Sequence, residues 1–184
     1  VFGTNPMAFA WPRPGGDVLV WDQASSVMAR GDMTLHMLEG KQLPEGAAID
    51  VEGRPTTDPA IALQGAQCTF GGAKGSNIAL MVELLAAGLT GGTLSAATEV
   101  PPEANHPGGA PTANGELLIA INPARFPGGT DHAERLFEAL EAEAEWGARL
   151  PGSRRHSARA HTEAEGINVL QSTYDAIHPM LQPP

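Results

Sequence analysis

Gly71-Gly72-Ala73-Lys74-Gly75-Ser76 is the segment whose residue types and spacing best suit binding chemistry. A strand-like run, Gln67 to Phe70, leads into it, and a helical pattern follows from Ser76. Glycines let the backbone approach a ligand, and the first N–H groups of a helix have no partner within it, so such a turn can hold an anion. Lys74 is one of only two lysines in 184 residues. The same residues also suit a tight strand-to-helix turn carrying a solvated lysine. The turn is not a Walker A loop, which needs Gly before the Lys and Ser or Thr after it. Nor does a GxGxxG fingerprint follow any strand-like segment.

A second basic feature is Arg149, Arg154 and Arg155 around Pro151-Gly152-Ser153. Guanidinium forks suit phosphate oxygens, and a Pro-Gly turn offers backbone N–H groups. The alternative is a basic turn after a helix, offsetting Glu138, Glu141, Glu143 and Glu145. Asp22 and Asp32 flank Arg30 in a stretch otherwise short of charge. An Asp at a strand end can hold a ribose, an amide or a histidine; it can equally cap the next helix, and Asp32 beside Gly31 can be a turn residue. The six histidines form no HExxH and no pair four apart, so no metal site is expected. Cys68, the only cysteine, excludes an internal disulfide, lies in an apolar stretch and reads as a small buried hydrophobe.

The elements that position these residues follow from apolar spacing and turn chemistry. Phe9-Ala10-Trp11 and Val18-Leu19-Val20-Trp21 flank Pro12-Arg13-Pro14-Gly15-Gly16-Asp17, the pattern of a hairpin or of adjacent strands. Ala24 to Arg30 suits a short helix, residues 39–60 read as surface turns, and Asp58 precedes a short helical turn that it can cap. Ile78, Leu80, Met81, Leu84, Leu85 and Leu89 fall at helical spacing. Residues 98–115 read as a long exposed loop, Leu117–Ile121 as a strand and Thr130–Trp146 as an amphipathic helix with Leu136, Phe137 and Leu140 on one face. A last helix is expected from about Glu163 to Ile177. Alternating strands and helices give an α/β or α+β chain. The net charge of −10 argues against nucleic-acid binding, and 42% hydrophobic content suffices for a core. The longest apolar run, Ile78–Leu85, is interrupted by Glu83 and too short to span a bilayer. A soluble, reducing, cytoplasmic setting is expected.

Taken in order, Gly3-Thr4-Asn5-Pro6, Trp21-Asp22-Gln23-Ala24-Ser25-Ser26, Gly53-Arg54-Pro55-Thr56-Thr57-Asp58-Pro59, Gly71-Gly72-Ala73-Lys74-Gly75 and Leu150-Pro151-Gly152 resemble one family. It is the malate/L-lactate (L-sulfolactate type) dehydrogenase family, whose members use NAD(P)H to reduce 2-oxo acids or related substrates. The resemblance implies an α/β, non-Rossmann fold with a mixed, largely antiparallel sheet flanked by helices. It implies a nucleotide-binding domain over 1–125 and a C-terminal helical part over 126–184 that packs with an N-terminal domain. Met7-Ala8-Phe9-Ala10-Trp11-Pro12-Arg13-Pro14 resembles the branch that reduces Δ1-piperideine-2-carboxylate and Δ1-pyrroline-2-carboxylate, and so does the Trp21–Ser26 segment.

By position, the resemblance implies that Thr4, Arg30 and Gly31 lie at the substrate. Asp22, Gln23, Ala24, Gly72, Ala73 and Lys74 would contact the nucleotide, as would Pro151, Gly152, Ser153, Arg154 and Arg155. Asp32 stands where other branches carry lysine, and in the reductase branch that acid backs a Ser–His pair. The pair lies in an N-terminal region that precedes the Gly-Thr-Asn-Pro motif, so this chain by itself is expected to be inactive. Relatives often carry Glu where this chain has Ser153; its loss beside two arginines tilts the expectation to NADPH, with NAD possible. A small-molecule substrate and a homodimer are implied. The alternatives are a malate/lactate-type 2-oxo-acid dehydrogenase and a non-catalytic nucleotide-binding piece.

Overall fold

The computed structural model describes residues 3–15, 18–97, 115–169 and 171–181. The turn residues 16 and 17 and almost all of the expected loop over 98–115 fall outside them. The chain divides into two compact units, one made of Val1–Phe9 with Asp22–Asn122, the other of Ala10–Trp21 with Pro123–Pro184. The expected hairpin is present as β1 (Met7–Pro12) paired with β2 (Val18–Gln23).

In the first unit the segment expected to be helical from Ala24 is not helical before Arg30. Ser26 bridges Thr69 in antiparallel fashion, and Ser25 N–H donates to the Thr4 carbonyl at 2.8 Å. The helix starts only at Arg30: α1 runs Arg30–Leu38, with Ala29 at its N-cap making no side-chain cap bond. Asp22 therefore does not cap it, and Asp32 lies in its first turn, where an acid complements the helix dipole. Gly40, at φ 66°, ends α1 in the left-handed conformation common after a helix. The helix α2 (Pro59–Gln64) forms as its sequence predicts. Asp58 accepts from the Ala60 and Ile61 amides at 2.8 and 3.3 Å, and Pro59 occupies the first helical position.

Residues 39–60 hold more than surface turns. β3 (Ala48–Ile49) lies between β4 (Pro55–Thr56) and β5 (Ala66–Gln67), antiparallel to both. Leu43, Ala47 and Ala48 are buried with Met33 of α1 and Ala62 of α2, and these five make the unit's core. Two-residue strands are too short to show alternation, so their pattern is invisible in the sequence. Among the described residues the pairing is antiparallel, as the largely antiparallel α/β expectation has it, and lies in two small sheets.

The helix expected from Ser76 begins three residues earlier. α3 runs Ala73–Glu83 and passes into a π-helical turn at Leu84–Gly88. Its spacing does mark a helix, but Leu80, Met81, Leu84 and Leu89 are exposed, and only Gly75 and Ala79 of α3 are buried. Leu117–Ile121 is not a strand. It pairs with none among the described residues, and Leu118 is 84% exposed, so an apolar run alone does not make a strand without a partner edge.

The second unit packs Leu19 of β2 against Phe137 and Leu150, with Trp11, Trp21 and Ala133 around them. Phe137 lies on α4 (Asp131–Ala142), whereas Leu136 and Leu140 are exposed, so the apolar face is narrower than its spacing predicts. Arg13 donates from Nε and Nη2 to Glu134 and from Nη1 to Glu141, with its guanidinium 5.0 Å from the Phe137 ring centroid. Those two glutamates hold the Arg13 guanidinium firmly in its charged form. The final helical stretch is two helices, α5 (Ser153–Glu165) and α6 (Gln171–Ile177), separated at Gly166, which adopts φ 81°.

Candidate functional site

In the first unit, one ladder of backbone bonds collects most of the residues selected from the sequence. Ser25 is its hub: its N–H donates to the Thr4 carbonyl, its hydroxyl to the Asn5 carbonyl at 2.8 Å, and its own carbonyl accepts from Phe70 N–H at 3.0 Å. This joins three segments: the one carrying exposed Thr4, the one carrying Asp22, Gln23 and Ala24, and the run into the Gly71-Gly72 turn.

The turn itself is built on glycine for two different reasons. Gly71 and Gly72 take φ 59° and 58°, and a Cβ at either would meet nothing within 4 Å, so the space in front of the turn is open. A Cβ on Gly75 would instead lie 1.7 Å from the Phe70 carbonyl oxygen, so the helix can start there only because that position has no side chain. Gly72 is the N-cap of α3, and Ala73 and Lys74 are its first two residues. Thr69 Oγ1 donates to the Gly72 carbonyl and lies 3.0 Å from Ser76 Oγ, which bonds the same carbonyl. An open glycine cradle, a helix N-terminus and an exposed lysine together fit a phosphate group.

Arg30, Gly31 and Asp32 are exposed in the first turn of α1. Arg30 Nη2 donates to the Leu63 carbonyl at 2.7 Å, which ties α1 to the end of α2. A Cβ on Gly31 would meet nothing within 4 Å.

In the second unit the basic segment is a turn only at Pro151-Gly152; Ser153, Arg154 and Arg155 form the first turn of α5. Gly152 adopts φ 86°, and a Cβ there would lie 2.8 Å from the Val20 carbonyl oxygen, so glycine is needed twice over. His156 Nε2 lies 2.9 Å from the Val18 carbonyl oxygen, and buried Leu150 anchors the other side. In the same unit Glu134 and Glu141 of α4 bond Arg13. A helix N-terminus disfavours cations, so arginines there suit an anion that binds between them and the dipole.

Sequence reasoning missed a buried polar network beneath Thr4. Asn5 is 7% exposed and stands at φ 38°. Its amide donates to the Ala79 carbonyl at 2.8 Å and to Glu83 Oε2 at 2.7 Å, while Glu83 also accepts from the Ser95 hydroxyl and N–H. Burial raises the Glu83 carboxyl, but the Ser95 and Asn5 hydrogen bonds together outweigh it and hold the group below its ordinary value. Among the described residues no group of three or more His, Cys, Asp or Glu is placed to hold a metal ion, and no helix is long and apolar enough to cross a membrane.

Comparison with known proteins agrees with the motif set. The malate/L-lactate dehydrogenase family model matches residues 1–178. Delta(1)-pyrroline-2-carboxylate reductase 2 of Burkholderia multivorans is 48% identical over 186 residues, covering 98% of this chain and 53% of that protein. A (2R)-3-sulfolactate dehydrogenase (NADP(+)) of Chromohalobacter salexigens is 46% identical over 181 residues, covering 96% of this chain and 52% of that protein. The crystal structure of delta1-piperideine-2-carboxylate reductase from Pseudomonas syringae superposes with a TM-score of 0.82 at 42% identity, over 98% of this chain and 54% of that one. The chain spans about half the length of the relatives it matches.

Proposed function

The chain belongs to the malate/L-lactate dehydrogenase family, and we propose that it forms the nucleotide-binding part of an NADPH-dependent reductase of a cyclic imine acid. The substrate would be Δ1-pyrroline-2-carboxylate or Δ1-piperideine-2-carboxylate, and the product L-proline or L-pipecolate. The observation that carries this reading is the open Gly71-Gly72 cradle at the N-terminus of α3, held by Ser25 beside Thr4. The names of the relatives at 48% and 42% identity support the imine class.

When bound, the nicotinamide supplies a hydride to the C=N carbon, while the ring nitrogen takes a proton. In this reading Lys74 and the first amides of α3 hold a phosphate, and Asp22, Gln23 and Ala24 line the nucleotide. Arg154 and Arg155, with Ser153 in place of an acid, receive the 2′-phosphate that distinguishes NADPH from NADH. Thr4 and the Arg30-Gly31 turn orient the substrate. Asp32 acts on the proton side: it backs a histidine that protonates or holds the imine nitrogen. The nucleotide-binding domain is assigned to 1–125, and 126–184 is the helical part that adds the arginine turn. Exposed Leu80 of α3, Leu84 and Leu85 of the π-helical turn, and the Leu117–Ile121 run favour burial against further polypeptide of a cytoplasmic homodimer.

A second reading is favoured by the sulfolactate dehydrogenase relative: a 2-oxo-acid dehydrogenase on the same cofactor site. The deciding experiment follows NADPH oxidation by the full-length protein on Δ1-pyrroline-2-carboxylate, pyruvate and 3-sulfopyruvate. Preference for the cyclic imine is expected; preference for a 2-oxo acid overturns the imine reading. Asp32→Asn should lower turnover by roughly 10²–10⁴ with NADPH affinity unchanged, and equal loss of both would remove Asp32 from the proton path.

A further inference from the structure

The network under Thr4 is more than packing. Asn5 holds a left-handed backbone at φ 38°, which Asn tolerates better than most residues but which still needs support from its surroundings. That support comes from two sides. The Asn5 amide donates to the Ala79 carbonyl and to Glu83 Oε2 on the C-terminal half of α3, and the Asn5 carbonyl accepts from Ser25 Oγ, whose own carbonyl reaches Phe70 just before the α3 cradle. The loop presenting Thr4 is therefore braced to both ends of the helix whose N-terminus carries the cradle. Ser95 completes the acceptor set of Glu83, which leaves the Asn5 amide N–H pointing at oxygens only.

We infer that Asn5 and Glu83 form a positioning pair that fixes Thr4 relative to the cradle, so that substrate and nucleotide meet at one reactive spacing. This rests on the reading of Thr4 and α3 given above. Misplacement by an ångström costs roughly 10²-fold in a reaction that depends on near-attack geometry. Cofactor affinity, which depends on the other end of α3, should hardly move.

The test uses the full-length protein with Asn5→Asp, Glu83→Gln and the double variant. Asn5→Asp sets a carboxylate against the Glu83 carboxylate, and Glu83→Gln leaves one oxygen for the Asn5 and Ser95 N–H groups, so that one of them faces N–H. The double variant restores a donor facing an acceptor. Each single change is expected to lower kcat/KM for the imine by roughly 10–10²-fold with the NADPH Kd within about twofold, and the double variant to recover part of that loss. Unchanged kcat/KM, a parallel loss of NADPH affinity, or additive losses in the double variant would overturn the pair. If Asn5→Asp does not fold, Asn5→Gly keeps the backbone conformation without the amide and is read the same way. If the wild-type protein reduces no imine, the substrate reading fails separately. Hydrogen exchange at the Ser25 amide then decides the brace: faster exchange in Asn5→Gly supports it, and unchanged protection overturns it.

Discussion

Gly75→Ala isolates the contact on which the cradle depends. Mid-helix, such a change would ordinarily stabilise by about 1 kcal/mol, because alanine is the better helix former. Here the added methyl would start 1.7 Å from the Phe70 carbonyl oxygen and must retreat to at least 3.0 Å. The obstacle is backbone, so no rotamer relieves it, and overpacking of this kind costs about 1–3 kcal/mol. Moving Phe70 also breaks its bond to the Ser25 carbonyl, worth about 1 kcal/mol. The balance is a net destabilisation of about 2 kcal/mol, or roughly 4–8 °C in Tm for a chain of this size. Thermal melting by far-UV circular dichroism reads the stability, and fluorescence titration with NADPH reads the cradle. Gly72→Ala is the companion: its methyl would enter open space, so it carries only the backbone strain of φ 58° with ψ −124°, about 1–3 kcal/mol. A Gly75→Ala protein that melts at or above the wild-type temperature and binds NADPH equally would refute the argument from close approach.

Three further outcomes follow from the same geometry. Gly31→Ala, in the first turn of α1 with nothing near its Cβ, should add up to about 1 kcal/mol of stability and raise the substrate KM; a KM that stays put in steady-state assays removes Gly31 from the substrate set. Arg154→Ala should weaken NADPH roughly 10–10²-fold and leave NADH unchanged, and equal weakening of both in isothermal titration would place the 2′-phosphate elsewhere. The Glu83 carboxyl sits below its ordinary 4.5 in the folded chain, so its stabilising contribution is complete above that pH and lost as pH falls through the folded value. Glu83→Gln should therefore melt lower at neutral pH, with the gap to wild type closing in acid; a gap that is constant with pH would mean the charge contributes nothing.

How much of this was legible in the sequence depends on the range of the physics involved. Asp58 before Pro59, and the glycine run before an apolar helix, are local signals read within four residues, and the structure follows both. The start of α1 was misread because Ala24 to Ala29 has helical composition, whereas Ser25 and Val27 donate their amides to the Thr4 and Cys68 carbonyls. Tertiary pairing overrode propensity there. Leu117–Ile121 erred the other way: a strand needs a partner edge, and no composition supplies one. The Asn5–Glu83 bond joins residues 78 apart, and nothing in either neighbourhood announces it except that Asn is a residue suited to a left-handed turn.

The two basic sites were the harder case, because each had an ordinary explanation that sequence alone could not remove. Position on a helix bears on it. A solvated lysine is indifferent to where it sits, and a basic turn after α4 has no need to open another helix. Instead Lys74 lies in the first turn of α3, and Arg154 and Arg155 in the first turn of α5, neither of which contains an acidic residue. Cations at that end of a helix cost about 0.3–1 kcal/mol each, since the dipole there is already positive. In a chain carrying −10 overall, with 21 acidic residues against 11 basic ones, the first turns of these two helices hold basic residues and no acid. An anion reverses the sign of each term: it is attracted by the dipole, by the free amides and by the side chain at once. Under the proposed function, that placement becomes binding energy for a phosphate.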